Sequence, residues 1–477
     1  MSNRLAGLWI KKIGQNRGTP RLWFDCLRIA AAGLLPGIRY NLEHHGKGLK
    51  LSPAENGRYK VASKERNGKT IPVLDLDSRE KLGPIYEETA VRVVITEKAL
   101  FILPLASEIA KRERLERIQR KLTSGEALSI GSLAHGAGVL SHAAHAGFKD
   151  AGIAVKLAFN NEIDEGYMAQ SLAQNSVNSE STINLCAPMQ ELIQDRWLMQ
   201  QLPQLECLEL ALPCSGHSKA GKSKRGLVHP EDHPEVGHLV HAALTIIQWT
   251  QPGIICLENV EGYATSASAA ILRNQLRDMG YNVREHVLDS TEWGCLERRI
   301  RWAFVATTEG LMPLDDVPND TVKPANLKLA DVLEDVPLDS DMWKAVTYLK
   351  EKEVRDKAAG KGFAMQTYTP ESTSVGTIRK LYSKIGSTDP LLKHPTNPDL
   401  LRKFTAKEHA ALKSVPTVLI EGVSQSCAHE ILGQGIAYLP FRAVFRAIGE
   451  TLKSLRANGP IWSAKPAGGL RIQTSIG

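Results

Sequence analysis

The chain has 477 residues, enough for two or three domains with a sizeable core. It contains no apolar run long enough to cross a bilayer, and its amino terminus, MSNRLAGLWIKKIGQNRG, lacks the apolar core and cleavage site of a secretory signal. Seven cysteines without paired spacing exclude a disulfide scaffold and point to a reducing, cytoplasmic setting, while the net charge of +7 permits a nucleic-acid partner without requiring one.

Residues 1–104 read as a β-rich amino-terminal domain. Arg21–Ile29 and Ile38–Glu43 form strands around the turn Leu35-Pro36-Gly37, with further turns at Lys47-Gly48 and Asn67-Gly68 and a strand pair at Val91–Ile95 and Leu100–Leu103. With the phrase AAGLLPGIRYNL, these short hairpins resemble the AbrB-like swapped-hairpin fold. That resemblance implies a module that touches DNA or dimerises; a structural add-on is the alternative. Residues 105–126 make a basic helical linker whose Lys111, Arg112, Arg114, Arg117, Arg120 and Lys121 are a solvated face or a phosphate contact.

From residue 127 the pattern alternates strand and helix, which is an α/β signature. LSIGSLAHGAGVLSHAAHAGF is a strand, a turn with Gly136 and Gly138, and a helix. The next strand, Val155–Phe159, leads to Glu162. Glycines allow close backbone approach to a ligand at a helix start, and a carboxylate at that distance suits ribose hydroxyls in a Rossmann-like half. Leu208–Leu212 is a third strand, stopped by Pro213, so Cys214 falls at its carboxyl end. The loop beyond carries His217, Ser218, Lys219, Lys222, Lys224 and Arg225. Positive charge there predicts a depressed Cys214 pKa. Leu239–Trp249 is an amphipathic helix, Ile254–Leu257 a strand ending in Glu258-Asn259, and Arg299 and Arg301 share one face of a later strand. A thiolate, a carboxylate and paired arginines suit attack on an electron-poor heterocycle held by its polar edges.

Pro213-Cys214 with Ser218, then Glu258-Asn259-Val260, then Arg299 and Arg301 occur in the order of the catalytic motifs of the DNA (cytosine-5)-methyltransferase family, which this chain resembles over about residues 127–455. The resemblance implies a Rossmann-like S-adenosylmethionine (SAM)-dependent domain at 127–306, a small target-recognition region at 307–400, and carboxy-terminal motifs at 401–460 that complete the catalytic domain, before a tail at 461–477. It implies SAM held by Gly136, Gly138, Glu162, Gly433 and Gly435, with Cys214, Glu258, Arg299 and Arg301 as the catalytic set and Asn259 orienting the Glu258 turn. Double-stranded DNA would be gripped by Ser218, Lys219, Lys222, Lys224 and Arg225, and further contacts are expected from Arg379, Lys380, Tyr382 and Lys384. A companion restriction nuclease, a dimer through the amino-terminal domain and association with the nucleoid of a bacterial or phage-infected cell belong to the same expectation.

The chain departs from the family pattern at Ser132-Leu133-Ala134, where an acidic-Leu-Phe start is usual, at Pro188, aligned with an aspartate near the adenine, and at Glu297, where glutamine is typical. These changes could re-shape the pocket or admit another sulfonium donor. The rival readings are a catalytically degenerate DNA-binding regulator and an RNA cytosine-5 methyltransferase. His142-x-x-His145, His229-x-x-x-His233 and His238-x-x-His241 lack the cysteine or acidic partners of a metal site, so no metal is expected.

Overall fold

The computed structural model describes residues 4–216, 228–319 and 327–457. The described residues divide into two compact units, one within residues 4–113 and the other within residues 114–457. In the first, a six-stranded sheet has the order β1-β9-β10-β5-β4-β6 and a four-stranded sheet the order β2-β3-β8-β7. The strands are β1 (Leu5–Lys12), β2 (Gly14–Asn16), β3 (Thr19–Asp25), β4 (Arg39–His45), β5 (Gly48–Pro53), β6 (Tyr59–Lys60), β7 (Ala62–Arg66), β8 (Lys69–Leu76), β9 (Ala90–Thr96) and β10 (Ala99–Pro104). Their inward residues, among them Leu22, Phe24, Leu51, Leu74, Val93 and Ile102, form one core. The strand expected over Arg21–Ile29 stops at Asp25. Leu27–Ala32 is instead a 3-10 helix that buries Ile29 and Ala32 and ends at Gly33, with φ 77°.

The larger unit is a Rossmann-like α/β fold. Its seven-stranded sheet has the order β13-β12-β11-β14-β15-β17-β16, from β11 (Leu128–Leu133), β12 (Val155–Glu162), β13 (Ile183–Cys186), β14 (Cys207–Leu210), β15 (Ile254–Asn259), β16 (Tyr281–Asp289) and β17 (Ile300–Thr308). The first five are parallel, whereas β17 runs antiparallel to both β15 and β16. The chain moves outward from β11 to β12 and β13, then returns to place β14 on the other side of β11. Ligands collect outside the carboxyl ends of strands at such a reversal. The glycine turn follows β11 and Cys214 follows β14, so both reach that crevice.

Side-chain alternation in the strands builds two cores. Ile130, Cys207, Ile254 and Cys256 face one layer with Ala143, Phe148, Phe445 and Ile448. Leu133, Leu208, Leu210, Ile255 and Leu257 face the other, with Leu244, Ile247 and Leu272. The final helix, Tyr438–Ala457, packs on Val139–Asp150, the helix that leaves the glycine turn. Gly147 permits this approach, since a Cβ there would lie 2.4 Å from the Arg442 carbonyl oxygen. Arg442 closes the contact with a bidentate pair to Asp150 at 2.6 and 2.8 Å.

The basic helix forms as expected, over Ala106–Ser124, with Arg120 exposed on it, but three of its bases, Arg114, Arg117 and Lys121, are turned into the fold. Arg114 is fully buried and donates to Thr308 Oγ1, Gln251 Oε1 and the Met279 carbonyl. Arg117 and Lys121 both pair with the buried Glu206 at 2.9 and 2.7 Å, and the backbone N–H of Ser129 adds a third bond to that carboxylate. The charges dock the helix on the sheet, because burying any one of them alone would be costly. A smaller three-stranded sheet, of β18 (Thr367–Tyr368), β19 (Leu391–Lys393) and β20 (Leu401–Arg402), lies within the expected recognition region and the start of the motifs after it.

Candidate active site

Strand register sets the site. Leu210 of β14 pairs with Leu257 of β15, so the chain leaving β14 runs beside Glu258 and Asn259. Asn259 ties the two together: its amide donates to the Leu212 carbonyl at 3.0 Å, two residues before Cys214, while its oxygen accepts the Val260 N–H at 2.9 Å. On the other flank Glu258 pairs with Ala303 of β17. Arg301 forms an ion pair with Glu258, Nε to Oε1 at 2.8 Å, in a place where neither side chain is more than about one-eighth exposed. Cys214, Glu258, Arg301 and Arg299 all lie within electrostatic reach of one another.

The thiol corrects one expectation. Burial pushes the Cys214 pKa up rather than down, and the field of Glu258 adds to this; Arg301 first and Arg299 second oppose it. Desolvation disfavours the thiolate in the free protein, and the arginines supply only part of the compensation. The loop residues to which the depressed pKa was attributed, together with Ser218, Lys219, Lys222, Lys224 and Arg225 as DNA contacts, lie outside the described residues.

Arg299 is also placed differently from the expectation. Its guanidinium is buried and donates to the Gly433 carbonyl at 2.9 Å, to Glu297 Oε1 at 3.3 Å and to the Ile378 carbonyl at 3.4 Å. Burial and the neighbouring Arg301 lower its pKa to about 10. The head group therefore braces the fold around the site, and Arg301 is the arginine placed beside Glu258.

At the glycine turn, Ala134, Gly136 and Gly138 all have positive φ, 52°, 59° and 76°. A Cβ on Gly136 would meet nothing within 4 Å, so its backbone faces open space. A Cβ on Gly138 would strike Asn175 Nδ2 at 2.3 Å and His135 Nε2 at 2.6 Å, which makes that glycine a packing requirement. Glu162 ends β12 beside the turn. Its carboxylate accepts the Gly136 N–H at 2.6 Å and the N–H groups of Ile163 and Asp164 at 2.8 and 3.0 Å. Ile163 next to it is 66% exposed, an apolar surface at the rim of the crevice. Gly433 serves close approach toward backbone, whereas Gly435 stands beside the glycine turn, where a Cβ would lie 3.7 Å from Val139 Cγ2. Gly433 lies against the backbone of Arg379 and Lys380, with a Cβ distance of 2.4 Å, and the Gly435 carbonyl accepts from Lys413 Nζ at 2.9 Å.

Among the expected contacts in the recognition region, Tyr382 is buried, its hydroxyl donating to the Pro390 carbonyl, so it cannot touch DNA. Arg379 is held by Asp389, Lys380 lies over the Tyr167 ring at 5.4 Å, and Lys384 is exposed. Sequence reasoning passed over Glu209, a carboxylate inside the apolar run of β14. It is fully buried opposite Ser132, takes a hydrogen bond from Ser141 and neighbours His135, whose ring contacts both serines at 2.9 and 3.1 Å. The alternation of Leu208-Glu209-Leu210 was the available signal.

The profile of C-5 cytosine-specific DNA methylases matches residues 128–450, more than half of the chain. The chain belongs to this family. Among relatives of this methylase, a type II methyltransferase of Shigella sonnei, M.SsoII, is 26% identical over 264 residues, covering 54% of this chain and 66% of its own length. M.NlaX of Neisseria lactamica, another type II methyltransferase, is 26% identical over 319 residues, 65% of this chain and 92% of its own. The crystal structure of the Dnmt2 methyltransferase of S. pombe superposes with a TM-score of 0.52 at 17% identity, over 69% of this chain and 99% of that one, and so shares the fold.

Proposed function

We propose that this methylase transfers a methyl group from SAM to C5 of cytosine in double-stranded DNA. The observation that carries the reading is the convergence of Cys214, Glu258 and Arg301 at the carboxyl ends of β14 and β15 and on the adjoining β17.

Cytosine C5 is a weak nucleophile until a sulfur adds to C6. Cys214 loses its proton to water and its sulfur bonds to C6, which sends the ring's electron pair toward N3. Glu258 takes up a proton from water as the base enters, donates it to N3 as that charge develops, and takes it back when the sulfur leaves. Arg301 holds Glu258 in place and offers its remaining N–H groups to the base's carbonyl oxygen. C5 is now enamine-like and takes the methyl group; a water removes the C5 proton, the C5=C6 bond re-forms and the sulfur leaves. SAM supplies the electrophilic methyl. The open backbone at Gly136, the carboxylate of Glu162 and the exposed Ile163 suit its ribose and adenine, and Glu162 would exchange a backbone N–H for a ribose hydroxyl. C6 is hidden in a duplex, so the target base must be rotated out of the stack.

Ser218, Lys219, Lys222, Lys224 and Arg225 are assigned to phosphates around the flipped base, and residues 307–400 to target recognition. The amino-terminal unit is assigned a second DNA contact: residues 1–113 carry 20 Lys and Arg against 12 Asp and Glu, so the positive excess of the whole chain lies there. Self-association is its second reading, supported by Leu5, Leu8 and Ile10 exposed on β1 at the sheet edge. The type II methyltransferase relatives support a restriction–modification setting with a companion nuclease, acting on cytoplasmic DNA. Among the described residues, no helix is long and apolar enough to cross a membrane.

The test is methyl transfer from labelled SAM to duplex DNA and to tRNA by the wild type and Cys214→Ala. Wild-type labelling of duplex cytosine, lost by at least about a thousandfold in the variant while DNA and SAM still bind, is the expected result. Equal turnover by the two proteins would remove the proposed nucleophile, and labelling of tRNA alone would change the substrate class.

A further inference from the structure

A string of polar side chains runs beneath the glycine turn, from Asn178 to the carboxyl of Glu209 on β14. The Asn178 amide donates to Ser171 Oγ at 3.1 Å, on the helix Glu165–Gln174. Ser171 Oγ lies 2.8 Å from His135 Nε2, while His135 Nδ1 lies 2.9 Å from Ser132 Oγ and 3.1 Å from Ser141 Oγ. Ser141 in turn donates to Glu209 Oε1. Ser132, His135, Ser141, Ser171 and Glu209 are all buried.

The protons of this string follow from its partners. Burial holds His135 neutral, its pKa lowered to about 3, so the ring has one N–H and one acceptor. Ser141 spends its proton on Glu209 and therefore turns lone pairs toward Nδ1. Nδ1 carries the hydrogen, Nε2 accepts the Ser171 hydroxyl proton, and the Ser171 oxygen is left to accept from Asn178. Every bond points the same way and ends on the Glu209 carboxyl.

The same residue fixes the turn. Ala134 has φ 52° without a glycine's freedom, a conformation that persists only where its surroundings hold it. The His135 N–H donates to the Asn161 carbonyl and the His135 carbonyl accepts the Gly138 N–H, each at 2.9 Å. The imidazole folds back under Gly138, where a Cβ would lie 2.6 Å from Nε2. Asn175 draws the Ala137 and Gly138 carbonyls inward, at 3.2 and 2.9 Å. Gly136 is left with open space before it and its N–H on Glu162.

We propose that His135 is a positioning residue for the methyl donor: anchored between Ser171 and the Ser141–Glu209 pair, its ring holds the Gly136 backbone and Glu162 in the arrangement that takes the ribose of SAM. The proposal rests on reading this crevice as the SAM site, and the ring acts through the turn above it.

Four full-length variants test it: His135→Ala, Ser171→Ala, Glu209→Leu and Glu209→Gln. Glutamine still accepts from Ser141, whereas leucine frees the Ser141 proton and lets the string reverse. SAM binding is measured by calorimetry in the absence of DNA, and KM for duplex DNA at saturating SAM. The expected result is a SAM Kd raised at least about tenfold in His135→Ala and at least about threefold in Ser171→Ala and Glu209→Leu. Glu209→Gln stays within about twofold of wild type, and KM for DNA moves by no more than about twofold in any variant. A wild-type SAM Kd in His135→Ala overturns the proposal. So does a Glu209→Gln that binds SAM as weakly as Glu209→Leu, or an equal loss for DNA and SAM, which would mark a general loosening of the fold. Should His135→Ala fail to fold, Ser171→Ala decides, and a SAM Kd within about twofold of wild type refutes the role of the ring. A wild-type protein that binds no SAM refutes the donor site itself, whereas tight wild-type binding with indifferent variants refutes the positioning role alone.

Discussion

Glu209→Gln turns the buried polar string under the glycine turn into a measurable quantity. The native carboxyl sits opposite Ser132 in β14, without exposed surface, and burial pushes its pKa from 4.5 to about 7, the hydroxyls of Ser141 and Ser132 offsetting only part of that rise. A midpoint raised in the folded state means that the native protein binds the proton more tightly than the unfolded chain does. The resulting stability is fully present below pH 4.5 and is lost as pH rises through about 7. The displacement corresponds to about 3 kcal/mol over the full window, of which about 2 to 3 kcal/mol falls between pH 5 and pH 8. Glutamine keeps the shape and the hydrogen bond from Ser141 but cannot titrate. Denaturant unfolding of both proteins at a series of pH values should show the variant gaining on the wild type as pH rises. A stability difference that stays constant from pH 5 to pH 8 would refute the reasoning, because it would mean that the carboxyl does not change its proton in this range.

Two other measurements probe regions outside the site. Glu206→Gln removes the counter-charge shared by Arg117 and Lys121 and should destabilise the larger unit by about 3–5 kcal/mol, read as a fall in thermal midpoint. A wild-type midpoint would show that the basic helix docks without this pair. Replacing Lys64, Arg66 and Lys69 of the exposed β7–β8 hairpin by glutamate should flatten the dependence of log K for duplex DNA on log salt by about one for each lost phosphate contact, with kcat at saturating DNA unchanged. An unaltered slope would mean that the hairpin does not touch the duplex.

The parallel half of the sheet was legible because its strands are short apolar runs ended by glycine, proline or polar residues, and because the chemistry-bearing residues stand just beyond those ends. Cys214 and Glu258 were found in this way, and adjacent strands do bring them together. What the sequence withheld was the destination of charges. Arg299 and Arg301 share a strand face, yet one is spent on carbonyls of Ile378 and Gly433 and the other pairs with Glu258. Nothing local separates them, because their partners lie up to 134 residues away. The helix at Ala106–Ser124 reads as a wet basic surface for the same reason, since Glu206, which absorbs two of its charges, is more than 80 residues distant. Glycines misled in a parallel manner. A glycine announces that something comes close, but only the fold says whether that is a ligand, as the open face of Gly136 allows, or another stretch of backbone, as at Gly433.

The pairing of the Val139–Asp150 helix with Tyr438–Ala457 has a consequence for biosynthesis. Phe148 meets Phe445 with ring centroids 5.7 Å apart, and His142 Nδ1 lies 2.6 Å from the Tyr438 hydroxyl, across almost 300 residues of intervening chain. Contacts of such long sequence separation form late. A growing polypeptide therefore contains Cys214, the proposed nucleophile, well before the layer behind the glycine turn is closed, and a product cut short before residue 438 would never close it. Closure of that layer waits on the synthesis of residues 438–457.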